Sequence, residues 1–161
     1  MLTARIAVLV SGGGTNLQAL IDAQRRGDLH SGVLSLVIAD KSGVRAVTRA
    51  HEADIACAVI PRRGPGFEEK VLEALGHYRI DMVVLAGFLG ILSADFIARF
   101  PGPIINIHPS LIPAFCGKGF YGLKVHQAAL DYGVKVTGAT VHYVNEVPDG
   151  GKIILQKAVE V

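Results

Sequence analysis

The sequence has 161 residues, is half hydrophobic by count, and carries a net charge of +2 from 16 basic and 14 acidic side chains. This length and composition predict a single domain, residues 1–161, with a sizeable buried core. The weak charge argues against nucleic acid as a partner. The longest apolar run, residues 82–92, is far below the ~20 residues of a membrane-spanning helix, and no signal-peptide pattern opens the chain. Two cysteines without metal-ligand spacing predict reduced thiols, no metal site and a cytoplasmic location.

Short β-branched runs alternate with amphipathic stretches along the first two thirds of the chain. The runs are almost continuously hydrophobic, which is typical of parallel strands buried on both faces. Helical spacing of apolar residues lies between them. The alternation predicts an α/β fold with a mostly parallel central sheet. The predicted strands are residues 5–10, 33–39, 56–60, 82–86 and 104–108.

A different rhythm follows Pro109. A loop rich in glycine and aromatic residues leads to a predicted helix at residues 123–132. Two long strands are then predicted at residues 135–144 and 153–161, separated by a turn-rich loop. Because the loop is short, these two C-terminal strands are expected to pair antiparallel, which makes the sheet mixed.

The segment SGGGTN, residues 11–16, joins the first strand to the first helix. Its glycines allow a ligand to approach the main chain closely, and Thr15 with Gln18 fits a capping box at the helix start. Free N–H groups at a helix N-terminus attract phosphate. Leu17 stands where a dinucleotide fingerprint needs its third glycine. The loop therefore favours a monophosphate site, the alternative being a tight turn without a ligand.

Asn106 and His108 interrupt an otherwise apolar strand near its C-terminal end, where ligands bind in open α/β sheets. Residues two apart on a strand point to the same face, so the two side chains are expected to project together. An amide donor beside an imidazole suits an oxyanion, and Asp149 is the candidate carboxylate that orients the ring. The alternatives are a satisfied polar pair in the core and an ordinary Asp-Gly turn. His142, between Val141 and Tyr143, is expected to be structural.

Four motifs occur together in this order: SGGGTN at 11–16, LAGF at 85–88, NIHPSLIP at 106–113 and DGG at 149–151. In this arrangement the chain resembles the phosphoribosylglycinamide formyltransferase family over essentially its whole length. The resemblance implies a Rossmann-like three-layer formyltransferase fold, with a phosphate-binding half, residues 1–100, and a catalytic and folate-binding half, residues 101–161. It further implies transfer of a formyl group from 10-formyltetrahydrofolate to the amine of glycinamide ribonucleotide in purine biosynthesis, and a possible homodimer.

Carried over residue by residue, the resemblance implies that the substrate phosphate is held by Gly13, Gly14, Thr15 and Asn16. It implies that the folate is bound by Leu89, Gly90, Ile91 and Leu92, together with Val144, Asn145 and the backbone of the loop that they begin. The catalytic residues would be Asn106, His108 and Asp149. The amine would attack the formyl carbon directly, the amide and imidazole would stabilise the oxyanion, and the carboxylate would help to move a proton through a water.

Three departures from the family pattern accompany the resemblance. Gly90 replaces an arginine that many relatives carry, and Lys152 replaces a common proline. Relatives continue past the last strand into a C-terminal helix, whereas this sequence stops at Val161, so reduced stability and weaker substrate binding are expected. The alternatives to the transferase are a formyltetrahydrofolate hydrolase and an inactive, truncated ligand-binding domain. A tRNA formyltransferase is disfavoured because it needs a further domain.

Overall fold

The computed structural model describes residues 3–161, which form two compact units that meet in sequence at Ile104 and Ile105. The first unit alternates strands and helices. β1 pairs in parallel with both β2 and β4, and β2 pairs in parallel with β3. The elements are β1 (Ala4–Val10), α1 (Thr15–Arg26), β2 (Gly32–Ala39), α2 (Arg45–Glu52), β3 (Ala56–Val59), α3 (Phe67–His77), β4 (Met82–Leu85) and α4 (Ala94–Arg99).

The core of the first unit explains why its strands are so uniformly apolar. The last four residues of β1 are fully buried, and so are Leu17 and Ile21 of α1, which face the sheet one helical turn apart. Val8 and Val10 of β1 pack in one cluster with these two helix residues, Val37 of β2 and Ala50 of α2. Burial of this apolar surface on both sides of the sheet drives the parallel arrangement.

The second unit is built on antiparallel pairing. It contains β5 (Ile104–His108), whose first residue belongs to the first unit, α5 (Leu123–Tyr132), β6 (Val136–Tyr143) and β7 (Ile153–Glu160). β6 pairs antiparallel with β5 and with β7, and this register places Asn106 opposite His142 and His108 opposite Thr140. The register fixes which polar side chains can meet.

The predicted α/β fold, parallel in its N-terminal strands and antiparallel in its C-terminal strands, is confirmed. Each predicted strand is present with ends that differ by at most one residue. The predicted capping box is wrong: α1 follows Gly14 in the left-handed conformation, without a side-chain cap, and Gln18 bonds Asp22 instead. Within residues 3–161, no helix has the length and hydropathy to cross a membrane.

Candidate functional site

The glycine loop between β1 and α1 presents its backbone to solvent. Gly13, Thr15 and Asn16 are exposed, and a Cβ added at Gly12 or Gly13 would meet no atom within 4 Å. Gly14 has φ +71°, which only glycine adopts without strain, and it turns the chain into α1. The first N–H groups of α1 therefore lie beside an open glycine surface, as a phosphate site requires.

Arg49 of α2 is a residue at this loop that the sequence did not suggest. Its Nε donates to the carbonyl of Gly13 at 2.9 Å, and its Nη1 donates to Gln18 Oε1 at 2.8 Å. The guanidinium thus fixes the loop and adds positive charge next to it. No sequence pattern marks Arg49, because the contact joins the glycine loop to a helix residue 36 positions further along the chain.

The segment after β4 carries the predicted folate residues of the first unit. It has no regular secondary structure between Gly87 and Leu92. Leu89 and Ile91 are 43% and 75% exposed, whereas Leu92 is buried. Two exposed apolar side chains two residues apart offer a surface for an apolar ring. Gly90 is half-buried, and a Cβ there would lie 2.5 Å from the ring of Phe88 and 2.9 Å from Cδ of Arg62.

The second unit brings the predicted catalytic side chains together. His108 is buried, and its Nδ1 lies 3.5 Å from Asp149 Oδ1. Its Nε2 lies 2.9 Å from the carbonyl of Phe115. Both ring nitrogens therefore face oxygen acceptors, and a ring with a proton on each nitrogen can donate to both. Asp149 has φ +54°, an uncommon conformation for an aspartate, and its Oδ2 accepts from the N–H of Gly117 at 2.8 Å.

His142, for which the sequence predicts a structural role, also lies in this cluster. It is 2% exposed on β6, opposite Asn106. Its Nε2 lies 3.1 Å from Asn106 Nδ2 and 3.7 Å from Asp149 Oδ1, and its Nδ1 lies 2.8 Å from its neighbour's carbonyl. His142 thus lies between the amide of Asn106 and the carboxylate. Strand alternation alone could have shown that His142 points inward, but not which side chain it meets.

The loop after β5 is anchored by a buried hydroxyl. Thr140 Oγ1 donates to the carbonyl of Ser110 at 2.7 Å and accepts from the N–H of Ile112 at 3.1 Å. Gln156 of β7 donates to the same oxygen at 3.0 Å. Since Thr140 stands opposite His108 on the paired strands, these bonds hold the start of the loop beside the catalytic strand.

Cys116 lies in the same loop and reports on its surroundings. Burial raises the pKa of its thiol, and the negative charge of Asp149 raises that pKa further.

Val144 and Asn145, the predicted folate residues of this unit, follow β6 directly and are half-buried. The side-chain oxygen of Asn145 accepts from the N–H of Val147 at 3.0 Å, which shapes the turn that leads to Asp149.

Comparison with known proteins agrees with this geometry. A family model described as formyl transferase matches residues 4–161. Phosphoribosylglycinamide formyltransferase of Haemophilus influenzae is 42% identical over 161 residues. The chain belongs to the formyl transferase family, among the phosphoribosylglycinamide formyltransferases. The solved glycinamide ribonucleotide transformylase 1 from Symbiobacterium toebii is 40% identical and superposes with a TM-score of 0.89 over 99% of this chain.

The relatives differ in how much of their length this chain spans. The human trifunctional purine biosynthetic protein adenosine-3 is 44% identical over 162 residues, which are 98% of this chain but 15% of that protein. The chain spans 73% of the Haemophilus influenzae enzyme, with 98% of its own length aligned, and 74% of the Symbiobacterium toebii chain. Family membership therefore describes the residues present here, and the activity of the whole protein is a separate matter.

Proposed function

We propose that this protein transfers the formyl group of 10-formyltetrahydrofolate to the amine of glycinamide ribonucleotide, in purine biosynthesis. The observation that carries the proposal is the cluster of Asn106, the buried His108 and Asp149, with His142 between the amide and the carboxylate, in a chain that belongs to the phosphoribosylglycinamide formyltransferases. Formyl transfer to an amine passes through a tetrahedral oxyanion. An uncharged amide and an imidazole are suitable donors for that oxyanion.

The reaction begins with attack of the substrate amine on the formyl carbon, and no covalent enzyme intermediate is needed. The amide of Asn106 donates to the oxyanion. His108 Nε2, which donates to the carbonyl of Phe115 in this structure, exchanges that acceptor for the oxyanion. Asp149 faces the other ring nitrogen, so its negative charge stabilises a ring protonated on both nitrogens. Through a water, Asp149 also helps to move the proton from the attacking amine to the departing folate nitrogen.

The two ligands are assigned to different segments of the protein. The open backbone from Gly13 to Asn16, braced by Arg49, would hold the phosphate of glycinamide ribonucleotide. The exposed apolar side chains of Leu89 and Ile91 would contact the folate, together with Gly90, Leu92 and the polypeptide at Val144 and Asn145. Binding both substrates makes the reaction effectively intramolecular, which contributes much of its acceleration. Both partners are small molecules, and no step requires a metal.

The test is tetrahydrofolate release from 10-formyltetrahydrofolate, with and without glycinamide ribonucleotide. We expect tetrahydrofolate release to depend on the amine substrate. In His108→Ala the rate of release should fall about 100-fold or more, since one oxyanion donor contributes a factor of about 10²–10³ to kcat. His51→Ala removes an exposed histidine and serves as the matched control with unchanged activity. Release without the amine would instead identify a hydrolase. A folded protein that binds both ligands without any release would be a binding domain, and either result rejects the proposal.

A further inference from the structure

A closed ring of four residues lies beneath the two ligand segments of the first unit. One member is Ser11, the residue that follows β1 and opens the glycine loop. Ser11 is 2% exposed. The hydroxyl of Ser11 donates to Asp40 Oδ2 at 2.8 Å and accepts from the N–H of Leu89 at 2.9 Å. A hydroxyl can donate once and accept at the same time, so Ser11 joins the end of β2 to the segment after β4.

Arg62 closes the ring from the outside. Its Nε lies 3.3 Å from Asp40 Oδ2, and its Nη1 donates to the carbonyl of Leu89 at 3.0 Å. Leu89 is thus held through both its N–H and its carbonyl, by a serine on one side and an arginine on the other. The carboxylate of Asp40 is buried, so the hydrogen bond that it accepts from Ser11 is charge-assisted and is not weakened by water. The ion pair with Arg62 is partly screened, because the arginine side chain is 39% exposed.

The ring includes Leu89, the first residue of the folate segment, and lies two residues before the phosphate segment that begins at Gly13. Ser11 opens the glycine loop, and its own N–H donates to the carbonyl of Gly87 at 3.3 Å. Leu89 is the first of the residues proposed to contact the folate. The side chain of Arg62 also packs on Gly90, since an added Cβ there would lie 2.9 Å from its Cδ. A shift of either segment must therefore stretch bonds that position the other.

We propose that Ser11, Asp40 and Arg62 are positioning residues that couple the two ligand segments, so that binding of one substrate raises the affinity for the other. The proposal rests on the proposed function for the identity of the two ligands. Coupling of this kind is reciprocal: the phosphate substrate tightens folate binding by the same factor as folate tightens phosphate-substrate binding. Coupling between two binding sites typically changes each affinity by about 5- to 150-fold.

Isothermal titration calorimetry with glycinamide ribonucleotide and tetrahydrofolate tests the coupling between the two ligands. No turnover occurs, because tetrahydrofolate has no formyl group to transfer. For the unaltered protein we expect the Kd of glycinamide ribonucleotide to fall at least about 5-fold when tetrahydrofolate is saturating, and the reverse titration to show the same factor. In Arg62→Ala, whose side chain is 39% exposed, the factor should approach one. Arg26→Ala, which removes another arginine from an ion pair in the same unit, should keep it.

The outcomes separate the two proposals. If both ligands bind and each Kd is independent of the other ligand, or if Arg62→Ala keeps the full factor, the coupling ring is rejected while the proposed function stands. If neither ligand binds the folded, unaltered protein, the proposed function fails and the coupling fails with it. Ser11→Ala gives a second measurement of the coupling factor, in a variant that keeps Arg62. It should also reduce the factor towards one, and the double variant should lose no more than either single variant.

Discussion

Asn106 and His142 stand opposite each other on antiparallel strands, with the amide nitrogen of Asn106 3.1 Å from Nε2 of His142. The other nitrogen of His142 lies 2.8 Å from the carbonyl of Tyr143 and donates to it. In a neutral ring, Nε2 is then the acceptor for the amide of Asn106. This contact fixes which end of the amide faces His142, and it leaves the second amide hydrogen to donate elsewhere.

Replacement of His142 by phenylalanine should reduce turnover, because the amide of Asn106 loses the acceptor that orients it. Without its acceptor the amide can rotate and present its oxygen where a donor is required. We expect kcat to fall about 10- to 100-fold, below or near the loss for one oxyanion donor, with the KM for glycinamide ribonucleotide changed less than about 3-fold, since uniform binding is not affected. Steady-state kinetics of tetrahydrofolate release measure both quantities.

The control for His142 is a double-mutant cycle with Asn106→Ala. If His142 acts by holding the amide, His142→Phe should cost little more once Asn106 has been removed. Equal losses in the two backgrounds would show that His142 supports the site in some other way, for instance through Asp149, which lies 3.7 Å from its Nε2.

Gly14→Ala should destabilise the protein more than alanine at an open glycine. Gly14 has φ +71°, and an added Cβ would lie 2.9 Å from the Cβ of Ala46 on α2. The left-handed conformation alone costs about 1–2 kcal/mol for an alanine, and the contact adds to it. Gly27→Ala is the matched control, because Gly27 has φ +79° with no atom within 4 Å. Urea denaturation should show a larger loss of unfolding free energy for Gly14→Ala, and equal losses would contradict the packing argument.

The elements could be predicted well from the sequence because the signals were local. Continuous apolar runs bounded by glycine, proline or polar residues marked the strands within a residue at each end. The capping box failed because a left-handed glycine can open a helix without any side-chain cap. The sequence does not predict helices α2 and α4, since they have 8 and 6 residues and short segments carry little periodicity.

The site could be predicted only in part, because its contacts are not local. Asn106 and His108 were visible as polar interruptions in a buried strand. The roles of Arg49, His142 and Asp40 were not visible, because each of these side chains meets a residue that is far away along the chain. His142 pairs with Asn106 across 36 positions, and Ser11 with Leu89 across 78. Register is set by side-chain packing over the whole strand pair, and no single-residue pattern encodes it.

Thr140→Val should loosen the loop that follows the catalytic strand. Valine has the shape of threonine but loses the bonds to Ser110, Ile112 and Gln156. Since Thr140 and Ser110 are fully buried, the carbonyl of Ser110 loses a bond where water does not readily replace it, at about 1–3 kcal/mol for an unsatisfied buried group. The unfolding free energy, measured by urea denaturation, and kcat should both fall. Thr137→Val, at a half-buried position on the same strand, is the control, and a similar effect there would show that the hydroxyl of Thr140 has no special role.

Alkylation of Cys116 should be slow near neutral pH and should respond to Asp149. Burial raises the pKa of this thiol, and the charge of Asp149 raises it further. A raised pKa means a smaller thiolate fraction at a given pH, and the thiolate is the reactive form. In a Cys57→Ala background, the pH midpoint of the iodoacetamide rate should lie above that of a free cysteine. Asp149→Asn should move this midpoint to lower pH, because a neutral amide no longer disfavours the thiolate.

The matched control for that shift is Asp131→Asn, which removes an exposed carboxylate from α5 in the same unit. Its midpoint should equal that of the parent. The limiting rate at high pH separates access from acidity: Asp149 Oδ2 accepts from the N–H of Gly117, so its loss could loosen the loop and raise that limit without moving the midpoint. A raised limit with an unchanged midpoint would mean that Asp149 positions the loop but exerts no electrostatic effect on Cys116. A lowered midpoint would place the charge of Asp149 within reach of the groups around it, as its proposed action on His108 requires.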